Sequence, residues 1–324
     1  MNLTCRRKRH TGLFDEGQVL TSEFIRQRRM KEKNMKDFWI AIRPQQWAKN
    51  LILFAGIIFS GQFFSLDKIL IVVSSAVIFS IASSGLYLIN DVLDRENDRR
   101  HPVKKHRPVA SGRIQPLTAH ILGCVLVVWA LFSAFFLNAN FGLILLIYLV
   151  MQFLYSLKLK NLVIFDIFCI AGGFFLRVIA GAVVIDVPIS HWLLICSTFL
   201  SLFIALAKRR GEIVLLSAEA ANHRPVLAHY SLPFIDHLMT IVTASTILSY
   251  VFYAFSPGTT EKFHTANLRY SIIFVVYGIF RYLYLVFQRN EGGAPEKVLF
   301  SDRPLFWNTV LYVLAVVAAV YFSR

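Results

Sequence analysis

Apolar residues fall along this chain in long runs separated by polar, mostly basic segments. Nine runs lie at about residues 48–64, 69–90, 118–137, 140–157, 162–185, 191–207, 236–256, 268–287 and 304–322. A backbone in lipid must satisfy its own hydrogen bonds, and the chain lacks the ~10-residue alternation of a membrane barrel. The runs therefore predict helices: an all-α, polytopic membrane protein built as a nine-helix transmembrane bundle. Several runs are shorter than the ~20 residues of a perpendicular span, so helix ends are expected to extend into their polar flanks. The first run is the weakest, with Arg43-Pro44 and Trp47 marking an interfacial start. Residues 1–38 hold two charge runs, Arg6-Arg7-Lys8-Arg9 and Arg26 to Lys33, and no apolar period. They are expected to form a basic cytosolic tail, partly disordered or lying on anionic headgroups, ahead of a transmembrane domain over 39–324. Met30 and Met35 are alternative starts, and no cleavable signal peptide is expected before the first span.

Composition agrees with this class. Of 324 residues 56% are hydrophobic and 16% charged, against ~25% charged in soluble domains. The net charge of +15 would suggest nucleic acid in a soluble protein. Here it sits in particular loops, so no nucleic-acid partner is expected. Segment 91–117 carries Arg95, Arg99, Arg100, Lys104, Lys105, Arg107 and Arg113. Lys158 and Lys160 follow the fourth run, Lys208, Arg209, Arg210 and Arg224 the sixth, and Arg289, Lys297 and Arg303 the eighth. The opposite loops hold little beyond Lys68, Lys262 and Arg269. The positive-inside rule then puts the N-terminus and these loops in the cytoplasm, and the C-terminal Ser323-Arg324 outside. Cys124, Cys169 and Cys196 lie in apolar runs and read as small hydrophobes; with Cys5 they make no metal spacing.

Chemistry concentrates where the second run meets its basic loop. Asn90, Asp94 and Asp98 are spaced i, i+4, i+8, and Asp91 lies three before Asp94, so all four share one helical face. Three carboxylates on one stripe repel each other unless a cation sits between them. A hard divalent cation, shared with substrate phosphates, is the simplest candidate; a solvated acidic helix end is the plainer alternative. Next comes His101-Pro-Val-Lys104-Lys-His-Arg107-Pro108, where Lys104 and Arg107 suit phosphate oxygens or serve only as inside charge. In Arg43-Pro44-Gln45-Gln46-Trp47-Ala-Lys49-Asn50, Lys49 either snorkels or joins Gln46 and Asn50 on a polar inner surface. Tyr155 and Lys158 stand one turn apart at a helix end, where the dipole alone favours a cation. Lys208-Arg209-Arg210-Gly211-Glu212 is strongly cationic, although Lys208 and Glu212 can simply pair. Asp166 and Arg177, eleven residues apart in the fifth run, share a face. That puts Arg177 roughly 20 Å below the cytosolic end, as a functional group or as a cap for helix carbonyls. The histidines form no metal set.

Asn90-Asp-x-x-Asp94-x-x-x-Asp98 after the second span, nine spans and a cytosol-facing cleft resemble the UbiA superfamily of intramembrane transferases over about residues 39–322. Ile42-Arg-Pro-Gln-Gln-Trp-Ala-Lys-Asn50, Tyr87-Leu-Ile-Asn-Asp91, His101-Pro-Val-Lys-Lys-His-Arg-Pro108 and Leu176-Arg-Val-Ile-Ala-Gly181 are similar to one branch of it. That branch transfers 5-phosphoribose from phosphoribosyl diphosphate (PRPP) to a polyprenyl phosphate such as decaprenyl phosphate, with magnesium. The resemblance implies Asp91, Asp94 and Asp98 as catalytic, with Asn90 beside them on Mg2+. It implies substrate contacts from Lys49, Asn50, Tyr87, Lys104, Arg107, Tyr155, Lys158, Arg177, Lys208 and Arg209. The superfamily's aromatic prenyltransferases carry a second aspartate-rich motif after the sixth span, where this chain has Lys208-Arg-Arg-Gly-Glu212. A donor with its own 5-phosphate and an anionic lipid acceptor would need those extra cations. The rival readings are a prenyl diphosphate-dependent transferase with an aromatic or other acceptor, and a non-enzymatic carrier. A carrier would need polar residues through the whole bilayer, whereas these cluster at one side. Subunit number is left open, a homo-oligomer included.

Overall fold

The computed structural model describes residues 35–322 apart from 101, 189, 217–224 and 294. The tail residues 1–34, His101, Arg224 and Ser323-Arg324 lie outside the described residues.

Among the described residues eight helices are long and apolar enough to cross a membrane: α1 (Leu66–Leu93), α2 (Pro116–Leu137), α3 (Ala139–Leu157), α4 (Phe165–Val183), α5 (His191–Leu216), α6 (Leu232–Phe255), α7 (Ile272–Gln288, its span beginning in the 3-10 turn at Asn267) and α8 (Arg303–Tyr321). The expectation of nine is not confirmed at the first run, which does not form one long helix. It forms a 3-10 helix, Pro44–Leu53, followed by a short α-helix, Phe54–Ile58. At ~2.0 and ~1.5 Å per residue this leading segment reaches about 27 Å, short of the ~30 Å hydrocarbon core. Ten residues of 3-10 helix is long for that conformation, which marks strained or functional backbone. The boundary expected at residue 38 falls inside a helix over 35–42. Asp37 in that helix pairs with Arg113, and Ala41 and Ile42 pack with Leu88, Val109 and Ala119.

Consecutive helices pack as neighbours, and the leading segment is wedged between α1 and α4. The wedge depends on bare backbone. A Cβ on Gly181 of α4 would lie 1.9 Å from the Leu53 carbonyl oxygen, and one on Gly56 would lie 2.7 Å from the backbone of Gly181 and Ala182. Small residues allow such close crossings in lipid, where packing rather than the hydrophobic effect joins helices. Gly181→Ala is therefore expected to cost about 1–3 kcal/mol, read as a lower thermal midpoint in detergent. Gly258→Ala, where an added Cβ meets nothing within 4 Å, should leave the midpoint unchanged.

Leu53, Ile57, Phe79, Phe141, Leu145 and Ala180 join the leading segment to α1, α3 and α4. Phe203, Ile235, Met239 and Leu285 tie α5, α6 and α7 together. Trp129, Phe132 and Phe136 of α2 are exposed, as a lipid-facing surface of a span would be. Side-chain caps fix the turns: Asn138 accepts from the Phe141 amide at 3.0 Å, and Asp302 from the Leu305 amide at 2.9 Å. Arg281 grips Asp302 through two hydrogen bonds of 3.1 and 2.8 Å. That grip holds the Asp302 carboxyl below the usual carboxylate range.

Candidate active site

The segments joining α1 to α2, α3 to α4, α5 to α6 and α7 to α8 share one end of the bundle. A polar cavity of about 370 Å³ lies toward that end. Six cationic side chains line it: Arg43, Lys49, Lys104, Arg107, Arg177 and Lys208. The lining carboxylates are Asp94 and Glu212.

The acidic stripe is real but divided. α1 ends at Leu93, Asp94 is its C-cap, and a short helix, Arg95–Arg100, follows. Asn90 and Asp94 line the cavity, with Tyr87 one turn back. Asp91 and Asp98 turn inward and are only 1% and 3% exposed. Arg107 Nη1 bridges these two, donating to Asp91 Oδ1 at 3.1 Å and to Asp98 Oδ2 at 2.6 Å. Arg43 donates to the same Asp91 oxygen. Of the four expected metal ligands, Asn90 and Asp94 thus line the cavity, while Asp91 and Asp98 are held by guanidinium groups. Close carboxylates require a cation between them, and here guanidinium groups supply it. Arg43 has a left-handed backbone (φ 54) and its guanidinium lies 4.8 Å from the Tyr87 ring centre. Burial pulls its pKa below the ordinary value, and Asp91 pulls it back. Asp94 takes Lys160 Nζ at 2.7 Å.

Among the described residues no three His, Cys, Asp or Glu side chains are grouped to hold a metal. Asn90 Oδ1 and Asp91 Oδ2 are nevertheless buried without a hydrogen-bond partner among the described residues, beside the Asp94 carboxylate. Two orphaned oxygens and one cavity-lining carboxylate fit magnesium, which keeps few protein ligands and completes its shell with water and substrate phosphate.

On the leading segment, Lys49 reaches the Gln46 amide oxygen at 2.5 Å, and both line the cavity. Asn50 does not: it is 2% exposed, donating to Ser80 Oγ at 2.8 Å and accepting from Arg177 Nε at 2.7 Å. Arg177 also donates to the Gly173 carbonyl and to Tyr148 Oη at 2.8 Å. It does not pair with Asp166, although the two share a helix. Asp166 faces α5 instead, where Arg209 Nε lies 2.5 Å from its Oδ2. Arg209 is fully buried, donating also to Glu212 Oε2 at 2.5 Å and Tyr155 Oη at 2.8 Å. Its expected substrate contact is corrected: it holds two cavity-lining side chains from behind. Lys158 is exposed and off the cavity wall, while Lys104, Tyr155 and Lys208 are on it.

Arg43, Lys160, Tyr148, Gln152 and Glu212 were not assigned site roles from sequence. Tyr148, Gln152, Tyr155 and Ser156 fall on one helical stripe of an otherwise apolar run, a periodicity that marks an inward polar face.

A second cavity of about 400 Å³ is almost wholly apolar. Ile52, Phe59, Leu200, Tyr250, Phe274 and Tyr312 contribute to its walls, between the leading segment and α5 to α8.

Fold and site together define a polytopic membrane enzyme with a cationic, acid-edged cavity, and comparison with known proteins places it. The UbiA prenyltransferase family profile matches residues 51–310, and the chain belongs to that family. It is 32% identical over 292 residues, 87% of this chain and 92% of the relative, to decaprenyl-phosphate phosphoribosyltransferase of Mycolicibacterium smegmatis. It is 33% identical over 287 residues, 87% of this chain and 94% of the relative, to the protein of the same name from Mycobacterium tuberculosis. A UbiA homolog from Archaeoglobus fulgidus, solved with GPP and Mg2+, superposes with a TM-score of 0.67 at 17% identity, covering 88% of this chain and 99% of that one.

Proposed function

We propose that this chain transfers 5-phosphoribose from PRPP to a polyprenyl phosphate and releases diphosphate. The observation that carries this reading is the six cations lining one cavity against two carboxylates. A prenyl diphosphate brings one diphosphate to a site, whereas PRPP and a lipid phosphate bring a diphosphate and two monoesters. The names of the two mycobacterial relatives support the same choice.

In this reaction the C1–O bond of the ribose breaks and the diphosphate leaves with the electron pair. A phosphate oxygen of the lipid bonds to C1 from the opposite face, with inversion. The ring passes through an oxocarbenium-like state, as in other glycosyl transfers. A phosphate monoester loses its second proton near pH ~6, so the acceptor is already a nucleophile at neutral pH. Bringing two anions together is the main task, one of positioning and electrostatics. Asn90, Asp91 and Asp94 would hold magnesium, which when bound neutralises the leaving diphosphate. Arg43 and Arg107, held by Asp91 and Asp98, line the cavity and would turn to donor phosphate oxygens. Arg177 anchors the leading segment through Asn50 and so fixes the wall that carries Lys49. The apolar cavity suits part of the polyprenyl chain, the rest lying in lipid. The basic loops at the cavity end support a cytoplasmic site in the bacterial inner membrane.

Purified protein incubated with labelled PRPP, Mg2+ and decaprenyl phosphate should place label in the lipid. No lipid label, together with consumption of a prenyl diphosphate, would replace this reading with the prenyltransferase one.

A further inference from the structure

Each carboxylate of the acidic stripe carries a counter-ion from a different part of the chain. Asp91 takes Arg43 from the start of the leading segment, and Arg107 from the segment between α1 and α2. Asp98 takes Arg107 as well, at 2.6 Å. Asp94 takes Lys160 Nζ at 2.7 Å, from the 3-10 turn Leu159–Asn161 between α3 and α4. These cations are held in place by their own surroundings. The Arg107 carbonyl accepts from the Ser111 amide at 2.9 Å and from Ser111 Oγ at 2.8 Å. The neighbouring Val109 and Ala110 are buried. Arg99 ties the short helix Arg95–Arg100 to the same segment, donating to the Ala110 carbonyl at 3.1 Å.

The pairing leaves particular atoms over. Asp91 gives one oxygen, Oδ1, to both arginines, while its Oδ2 and Asn90 Oδ1 are buried without a hydrogen-bond partner among the described residues. Ligand oxygens for a divalent cation are therefore present, but the charge that would attract one is already balanced. A free divalent cation at those oxygens would meet three positive side chains at close range, in a partly buried place where water screens poorly. A diphosphate reverses this. It adds negative charge beside the metal and offers the displaced cations charge-assisted hydrogen bonds of their own.

We infer that Lys160, Arg43 and Arg107 are positioning residues of the metal site. By pairing with its carboxylates they hold its affinity for a free divalent cation low, and they couple metal binding to the arrival of the donor's diphosphate. The inference rests on the reading of Asn90, Asp91 and Asp94 as the magnesium-holding set. Coupling of this kind is reciprocal: metal and diphosphate each raise the other's affinity by the same factor.

The test measures Mn2+ retained by the full chain in detergent, with and without inorganic diphosphate, at equal free Mn2+. Diphosphate should raise wild-type affinity for Mn2+ by about tenfold or more. Lys160→Met should bind Mn2+ alone about three- to fivefold more tightly than wild type, the fold-change of a lost partly exposed ion pair, and should gain less from diphosphate. Arg107→Met should show the same pattern with a larger change. Its thermal midpoint reports whether it folds, and Lys160→Met decides the matter if it does not. Lys105→Met removes the same charge from an exposed position of the α1–α2 segment and should match wild type within about twofold. Wild type that binds Mn2+ as tightly without diphosphate as with it overturns the inference. So does Lys160→Met with wild-type affinity for Mn2+ alone, or an equal gain in Lys105→Met. Should Asp94→Asn retain Mn2+ as wild type does, the underlying metal reading fails instead. None of these measurements needs turnover, so they stand apart from the phosphoribosyl-transfer assay.

Discussion

Asp94→Asn is expected to lower phosphoribosyl transfer by about 100-fold or more while the protein stays folded. Asp94 lines the cavity beside Asn90 and caps the C-terminus of α1. Its ion pair with Lys160, at 2.7 Å, has both side chains about one-fifth exposed. A pair that open to solvent contributes about 0–1 kcal/mol, so its loss should barely move the thermal midpoint. The variant should also need more magnesium for half-maximal rate. Lys160→Met separates the two roles, because it removes the pair and keeps the carboxylate. Activity of Asp94→Asn within a few-fold of wild type would take the metal role away from this residue. An equal loss in Lys160→Met would make the ion pair, not the carboxylate, the essential feature.

Asp166→Asn should be among the most destabilising single changes in the described structure. Asp166 and Arg209 are both fully buried, and their closest atoms are 2.5 Å apart. Those atoms are too far out of line for a hydrogen bond, so the attraction is ionic. Tyr230 adds a hydrogen bond to Asp166 Oδ1 at 2.6 Å and accepts the Ile164 amide at 2.5 Å. Burial and that carboxylate together push the Tyr230 phenol well above its usual pKa. Removing the carboxylate's charge leaves a buried guanidinium with Glu212 as its remaining counter-ion among the described residues, at a cost of about 3–5 kcal/mol. The midpoint in detergent should fall, and KM should rise as Tyr155 and Glu212 lose their support. Arg209→Lys should not rescue, because one ammonium cannot reach three partners as the guanidinium fork does. The double variant Asp166→Asn with Arg209→Met should be more stable than Asp166→Asn alone, since it leaves no unpaired buried charge. A double variant no more stable than the single one would show that the pair contributes through packing rather than charge.

Much of the architecture was legible because lipid imposes simple rules. Eight apolar runs had to be helices, since no water is present in the bilayer to satisfy a backbone, and they are. The first run has the apolar count of a span but not its continuous helix. Its conformation is set by a crossing with Gly181 that lies 128 residues downstream of Leu53, which no local pattern reports. Tyr87, Asn90, Asp94, Lys49, Lys104, Arg107, Arg177 and Lys208, all marked by charge or polarity in apolar surroundings, do gather around one cavity. Tyr148 and Gln152 are as legible, as a polar stripe on an apolar helix, whereas the spacing of Glu212 points only to Lys208.

The sequence by itself determined the class of protein, the end of the bundle where its charges collect, and the residue types available there. Periodicity and composition act locally, and a membrane reads them directly. Tertiary structure alone decided which charges face the cavity and which are used up behind it. Arg43 reaches Asp91 across 48 residues, and Arg177 reaches Asn50 across 127. Asp166 turns from Arg177 on its own helix to Arg209 on the next. A buried charge takes whichever opposite charge packing brings within reach, and only the packed bundle settles which one that is.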